Sequence, residues 1–123
     1  MKLPIIINEH GDISFYRSLK KASSAVEAVD VKNNEYIAYD GEGKLLEFEL
    51  QTKENPGVLG IGKITTEIVM IKEHPDKNDS QEELEQSLIS FFRRASNIHE
   101  KEFTSTSLEQ LINKAILLYG YAD

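Results

Sequence analysis

The hydrophobic repeat is mainly strand-like before residue 74 and helical after residue 80, and that division limits the folds open to the chain. Before residue 74 apolar residues come mainly in short runs or alternate: Leu46, Phe48 and Leu50 point one way, and Leu45, Glu47 and Glu49 the other. A period of two is that of a strand with one face toward a core. After the polar break HPDKNDS, residues 74–80, the period becomes helical. Leu84, Leu88, Phe91, Phe92 and Ala95 form one stripe, and Leu108, Leu111, Ile112, Ala115 and Leu118 or Tyr119 form another. Ser80 with Glu83 and Thr106 with Glu109 read as capping boxes opening these two helices, and Gly120 as the stop of the second.

The earlier region reads as two hairpin regions around one helix. LPIIIN and ISFY flank the turn EHGD, and EYIAY and KLLEFELQT flank DGEG. Between them LKKASSAVEAV, capped by Ser18, has Leu19, Ala22, Val26 and Val29 at helical spacing. KENPGVLGIG reads as a loop, and the strand KITTEIVMIKE follows it. The run IVMI is apolar on both faces, which predicts a central strand. The fold class is α+β: a mainly antiparallel sheet, one helix between the hairpin regions, and two closing helices packed on the sheet. No linker or repeat divides the 123 residues, so a single domain over 1–123 is expected.

GVLGIGK matches the first seven positions of a phosphate-binding P-loop. Such a loop needs a strand before it, Ser or Thr after the lysine, and a helix whose amides face the phosphates. Here Ile64 follows Lys63, a turn precedes the motif and a β-branched run succeeds it. The glycines therefore read as a loop or bulge leading into a strand, and no nucleotide is expected.

The other chemistry-bearing residues are sparse. The chain has no cysteine, which removes disulfide and thiolate chemistry. His10, His74 and His99 are scattered, with no metal-ligand spacing, and no nucleophile elbow occurs. No catalytic residue, metal or cofactor is expected. The short apolar run near the start is broken by Asn8, Glu9 and His10, and no stretch reaches membrane-spanning length, so the expectation is a cytoplasmic protein without a membrane partner.

Charge is the most informative property left. The net charge is −7, and it is concentrated. Residues 27–54 hold eight acidic and three basic side chains, and residues 73–86 hold six and one. Such a field repels nucleic acid and attracts basic partners. Glu35, Tyr36, Tyr39, Asp40, Glu42, Glu47 and Glu49 form the first candidate binding set, with the tyrosines as possible anchors. Asp76, Asp79, Glu82, Glu83 and Glu85 form the second.

PIIINEHGDISFYRSLKKA followed by AVDVKNNEYIAYDGEGKLL resembles small bacterial immunity proteins of polymorphic toxin systems, including contact-dependent inhibition and Rhs-type loci. The likeness covers residues 4–46 and rests on a hairpin signature, so it carries no functional residue with it. It implies a binding protein that neutralises a cognate toxin C-terminal domain, commonly a nuclease, and that is a monomer on its own. An acidic inhibitor can then occupy a basic cleft as a nucleic-acid mimic. Two further readings stand beside it: a small enzyme or ligand-binding domain with a pocket between sheet and helices, and an interaction module that dimerises through a sheet edge.

Overall fold

The computed structural model describes residues 1–76, 79–96 and 106–123. Strands β1 (Ile5–Glu9), β2 (Asp12–Tyr16), β3 (Tyr36–Tyr39), β4 (Leu45–Pro56) and β5 (Lys63–Glu73) form one sheet. Its order is β2-β1-β3-β4-β5, and each neighbouring pair is antiparallel. Helices α1 (Leu19–Ala25) and α2 (Ala28–Lys32) lie between β2 and β3 in sequence, and α3 (Gln81–Ser96) and α4 (Leu108–Tyr119) follow β5. This is the α+β class that the change of period implies.

Alternation along the strands builds two cores, one on each face of the sheet. Ile5, Ile7, Tyr16, Ala38, Leu46, Val69 and Ile71 are buried with Ala22 and Val26 from the α1–α2 region. On the opposite face Ile6, Ile13, Phe15 and Tyr39 are buried against α3 and α4, through Leu84, Leu88, Phe92, Leu108, Leu111, Ile112 and Ala115. Each fully buried Leu, Ile or Phe side chain contributes about 2 kcal/mol relative to exposure.

Four local expectations need correction. The helix over residues 19–29 is two helices, because Val26 and Glu27 are extended and Val29 turns to solvent. Ser18 does cap the first, accepting from the Lys21 amide at 3.1 Å. The capping box of α4 lies one residue later than Thr106 and Glu109, at Ser107 and Gln110, whose side chains bond each other's backbone amides. At the start of α3 the Glu83 carboxylate accepts from the Tyr39 hydroxyl at 2.6 Å, and Asp79 accepts from the Gln81 amide at 3.0 Å.

The fourth correction concerns β4 and β5. The loop read over residues 53–62 is shorter, since β4 continues to Pro56 and a single 3₁₀ turn, Val58–Gly60, closes the hairpin. The Gly57 amide donates to the Gly62 carbonyl at 3.0 Å. A Cβ on Gly57 would stand 2.0 Å from the Ile61 carbonyl oxygen, so the close approach requires glycine. The P-loop-like segment is thus a hairpin turn running into a strand. That strand, expected at the centre of the sheet, is its edge. Val69 and Ile71 are buried under the first helices, whereas Ile68 and Met70 remain 37% and 44% exposed on the other face.

The two sheet edges are treated differently. Residues 121–123 lie along β2: the Ala122 amide donates to the Phe15 carbonyl at 2.9 Å, and Arg17 Nη1 donates to the Asp123 carbonyl at 2.8 Å. The Arg17 guanidinium also sits 4.1 Å from the Tyr121 ring centroid. Among the described residues no backbone group pairs with the outer edge of β5.

Candidate functional site

The two acidic segments are remote in sequence and adjacent in space. The β3–β4 turn and the approach to α3 are joined by a bridge between Lys44 and Asp79, and the Ser80 amide donates to the Gly43 carbonyl at 2.9 Å. Glu42, Asp79 and Glu109 line one shallow surface recess there, and Asp79, Glu82 and Glu85 line the next. The result is an acidic rim across the N-terminal ends of α3 and α4. The helix dipoles favour carboxylates at these positions, so part of the rim also serves helix stability. Lys44 and Lys2 moderate its charge, Lys44 through an ion pair with Glu42 at 3.7 Å.

The first candidate set is not one surface. Asp40 is buried, 2% exposed, and its carboxylate accepts from the amides of Glu42 and Lys44 at 2.8 and 3.0 Å. It builds the turn that presents Glu42. Tyr39 is fully buried with only its hydroxyl reaching Glu83, and burial, then that bond, push its pKa well above the ordinary tyrosine value. Tyr36 packs against Phe48 with ring centroids 6.0 Å apart and donates to Asp30 at 3.1 Å. Tyr36 and Tyr39 therefore serve the fold first.

The remaining carboxylates of that set scatter. Glu35 lies at the far end of β3 from the rim, beside His10 at 3.8 Å. Contact with the Asp30 carboxyl raises its pKa, because two neighbouring carboxylates resist ionising together. Glu49, on β4, binds Lys72 at 2.6 Å, which holds its carboxyl below the ordinary range. Glu47 stands opposite Lys72 in the ladder, and its Oε2 is buried without a hydrogen-bond partner in the protein.

In the second set, Asp79, Glu82 and Glu85 belong to the rim, and Glu83 is committed to Tyr39. Asp76 lies beside His74, whose Nδ1 accepts from the Asp76 amide at 3.2 Å. Glu109 joins the rim without having been singled out from the sequence, where it reads only as a helix-start residue. His99 lies outside the described residues.

A second feature is a cleft of about 720 Å³ between α1 and the edge of the sheet. Leu19, Ser23 and Val26 form one wall, and consecutive β5 residues from Glu67 to Ile71 form the other. Glu67 is held by Lys32, so the cleft is apolar in the main and its acid is already paired.

No known protein family, curated protein or solved structure matches the chain. Among the described residues no helix is long and apolar enough to cross a membrane. The geometry is that of an α+β domain with an acidic end and, among the described residues, one sheet edge without a backbone partner.

Proposed function

We propose that the chain is an immunity protein: it binds a cognate toxin domain in the bacterial cytoplasm and neutralises it by occupying a basic surface, that of a nuclease in the simplest case. The observation that carries this reading is that Glu42 of the first acidic segment meets Asp79, Glu82 and Glu85 of the second on one rim. With Glu109, these five carboxylates from three separate parts of the chain outnumber the two lysines beside them, Lys2 and Lys44. Such a surface accelerates encounter with a basic partner and disfavours wrong ones. The resemblance of residues 4–46 to immunity proteins of polymorphic toxin systems supports the same reading.

The protein acts by binding and not by catalysis in this account. Glu35, whose carboxyl is pushed up by the neighbouring Asp30, is half-exposed beside His10 and lines no deep pocket among those described. The alternative, a small-ligand domain, has its best location in the α1–β5 cleft, where Glu67 is occupied by Lys32. The rim is tested by the double reversal Glu82→Lys with Glu85→Lys, measured against the toxin domain at low salt. The expected result is a fall of about tenfold in association rate with little change in dissociation. An unchanged association rate removes the rim from the interface.

A further inference from the structure

Among the described residues strand β5 pairs on one side only, and its length and its apolar run from Ile68 to Ile71 are unusual for a solvent edge. Natural edges are short, bulged, charged or covered. The β2 edge fits that rule, with five residues and the covering segment 121–123. β5 has eleven residues, pairs with β4 in one unbroken register, contains no proline, and leaves Ile64, Ile68 and Met70 exposed on one face. Its apolar run has the pattern of a central strand, yet the described residues supply a neighbour on one side only.

The backbone phase of the free edge follows from the hairpin. Because the Gly57 amide bonds the Gly62 carbonyl, the continuous register turns the N–H and C=O groups of the even-numbered β5 residues toward β4. The odd-numbered residues, Lys63, Thr65, Glu67, Val69, Ile71 and Glu73, present theirs outward.

We propose that this edge pairs with β5 of a second copy, antiparallel about a two-fold axis through Ile68, to form a continuous ten-stranded sheet. A two-fold axis normal to the sheet keeps each residue on its own face, so β5 can pair with itself only when centred on a residue. Centring on Glu67 places two Glu67 side chains against each other. Centring on Met70 opposes Glu67 to Glu73, and centring on Val69 leaves Lys63 and Ile64 without partners. Centring on Ile68 pairs all eleven residues, sets Lys63 opposite Glu73 of the copy at both ends, and places no like charges directly opposite, the two Glu67 side chains, each held by its own Lys32, being diagonal neighbours. It also matches the backbone phase, since odd residues then meet odd residues and their outward groups bond. On the exposed face Ile68 meets its own copy and Met70 meets Thr66, which covers the apolar side chains that one chain leaves open. In this pair β5 occupies the centre of the sheet, as its two-faced apolar run requires, and the monomer expected from the sequence gives way to a dimer.

Among the described residues Lys63 pairs with Glu54 at 3.4 Å and Glu73 with the terminal amine of Met1 at 3.5 Å; the Lys63, Glu54 and Glu73 side chains are exposed, so these pairs are weak and leave Lys63 and Glu73 able to reach the copy. The acidic rim lies beyond the Glu73 end of β5, where Lys44 shares a recess with Glu73, so the pairing is read on the protein without toxin.

The test is sedimentation of the full chain from low to high micromolar concentration, together with mild oxidation of single-cysteine variants in a chain that has no cysteine of its own. The expected result is a concentration-dependent dimer. Ile68→Cys should cross-link readily, because directly opposed strand residues have Cβ atoms about 5 Å apart. Thr66→Cys and Met70→Cys should not, because each is then displaced by about 13 Å from its own copy. Lys63→Glu should weaken the dimer about tenfold by creating two like-charge pairs, and adding Glu73→Lys should restore it. A monomer at every concentration overturns the proposal. So does a dimer that cross-links at another position, or one that the charge swap fails to restore.

Discussion

Asp40 and Glu42 are two residues apart and have different tasks. The Asp40 carboxylate is buried and bonds two backbone amides, whereas Glu42 is carried outward on the turn they form. Asp40→Ala should cost about 2 kcal/mol, because it leaves two inward amides without an acceptor. Chemical denaturation measures that loss. The association rate with a toxin should remain near that of the parent once the variant is folded, unlike that of Glu82→Lys with Glu85→Lys. Tyr39→Phe should cost about 1 kcal/mol by removing one hydroxyl bond to Glu83. The buried tyrosines also set an alkaline limit. Burial raises the pKa of Tyr16, Tyr36 and Tyr39. Their stabilising contribution is thus complete below the unfolded value of about 10 and is lost as pH rises through the folded values. Melting temperature should hold from pH 8 to about pH 9.5 and fall above it, and the fall should be shallower in Tyr39→Phe.

At the scale of elements, the strand and helix periods made most of the fold legible. Of the residues that the alternation in β4 and the stripes of α3 and α4 assign to the core, the structure buries Leu46, Leu84, Leu88, Phe92, Leu108, Leu111, Ile112 and Ala115, half-buries Phe48, Leu50 and Phe91, and leaves Ala95, Leu118 and Tyr119 near the helix ends exposed. What sequence pattern could not fix was which elements meet. Val26 continues a helical stripe, but its side chain reaches the sheet from an extended residue, so a tertiary contact ended a helix that spacing alone would continue. The apolar faces of β5 identify a strand wanting cover on both sides without saying what covers it. Likewise, Asp40 and Glu42 look alike in sequence, and only the turn geometry separates scaffold from surface. The distal β4–β5 hairpin offers its own test. From Gln51 to Glu54 and from Lys63 to Glu67 it is exposed in a single chain, so at concentrations low enough to keep the chain monomeric little packing opposes local opening. Gly57→Ala should therefore speed amide exchange through the distal hairpin by about tenfold or more while changing global stability by under about 1 kcal/mol. An equal loss of protection in β1 and β3 would contradict that independence.

For the whole molecule, two surfaces carry the account: an acidic rim built by the β3–β4 turn with the starts of α3 and α4, and the outer edge of β5, unpaired among the described residues. The rim adjoins the Glu73 end of that edge, so partner binding is separated from self-pairing by variants at Glu82 and Glu85 on one side and at Ile68 on the other. The rim is the central claim, and one measurement tests it most directly: calorimetric titration of the protein with the C-terminal domain encoded by the gene immediately upstream, at low and high salt. The account predicts tight, stoichiometric binding, one toxin domain per chain, that weakens strongly as salt rises, because exposed charges are screened beyond about 8–10 Å at physiological ionic strength. Equally tight binding at both salt concentrations would contradict the electrostatic mechanism while keeping the partner, and no binding between two folded proteins would contradict the assignment to that partner.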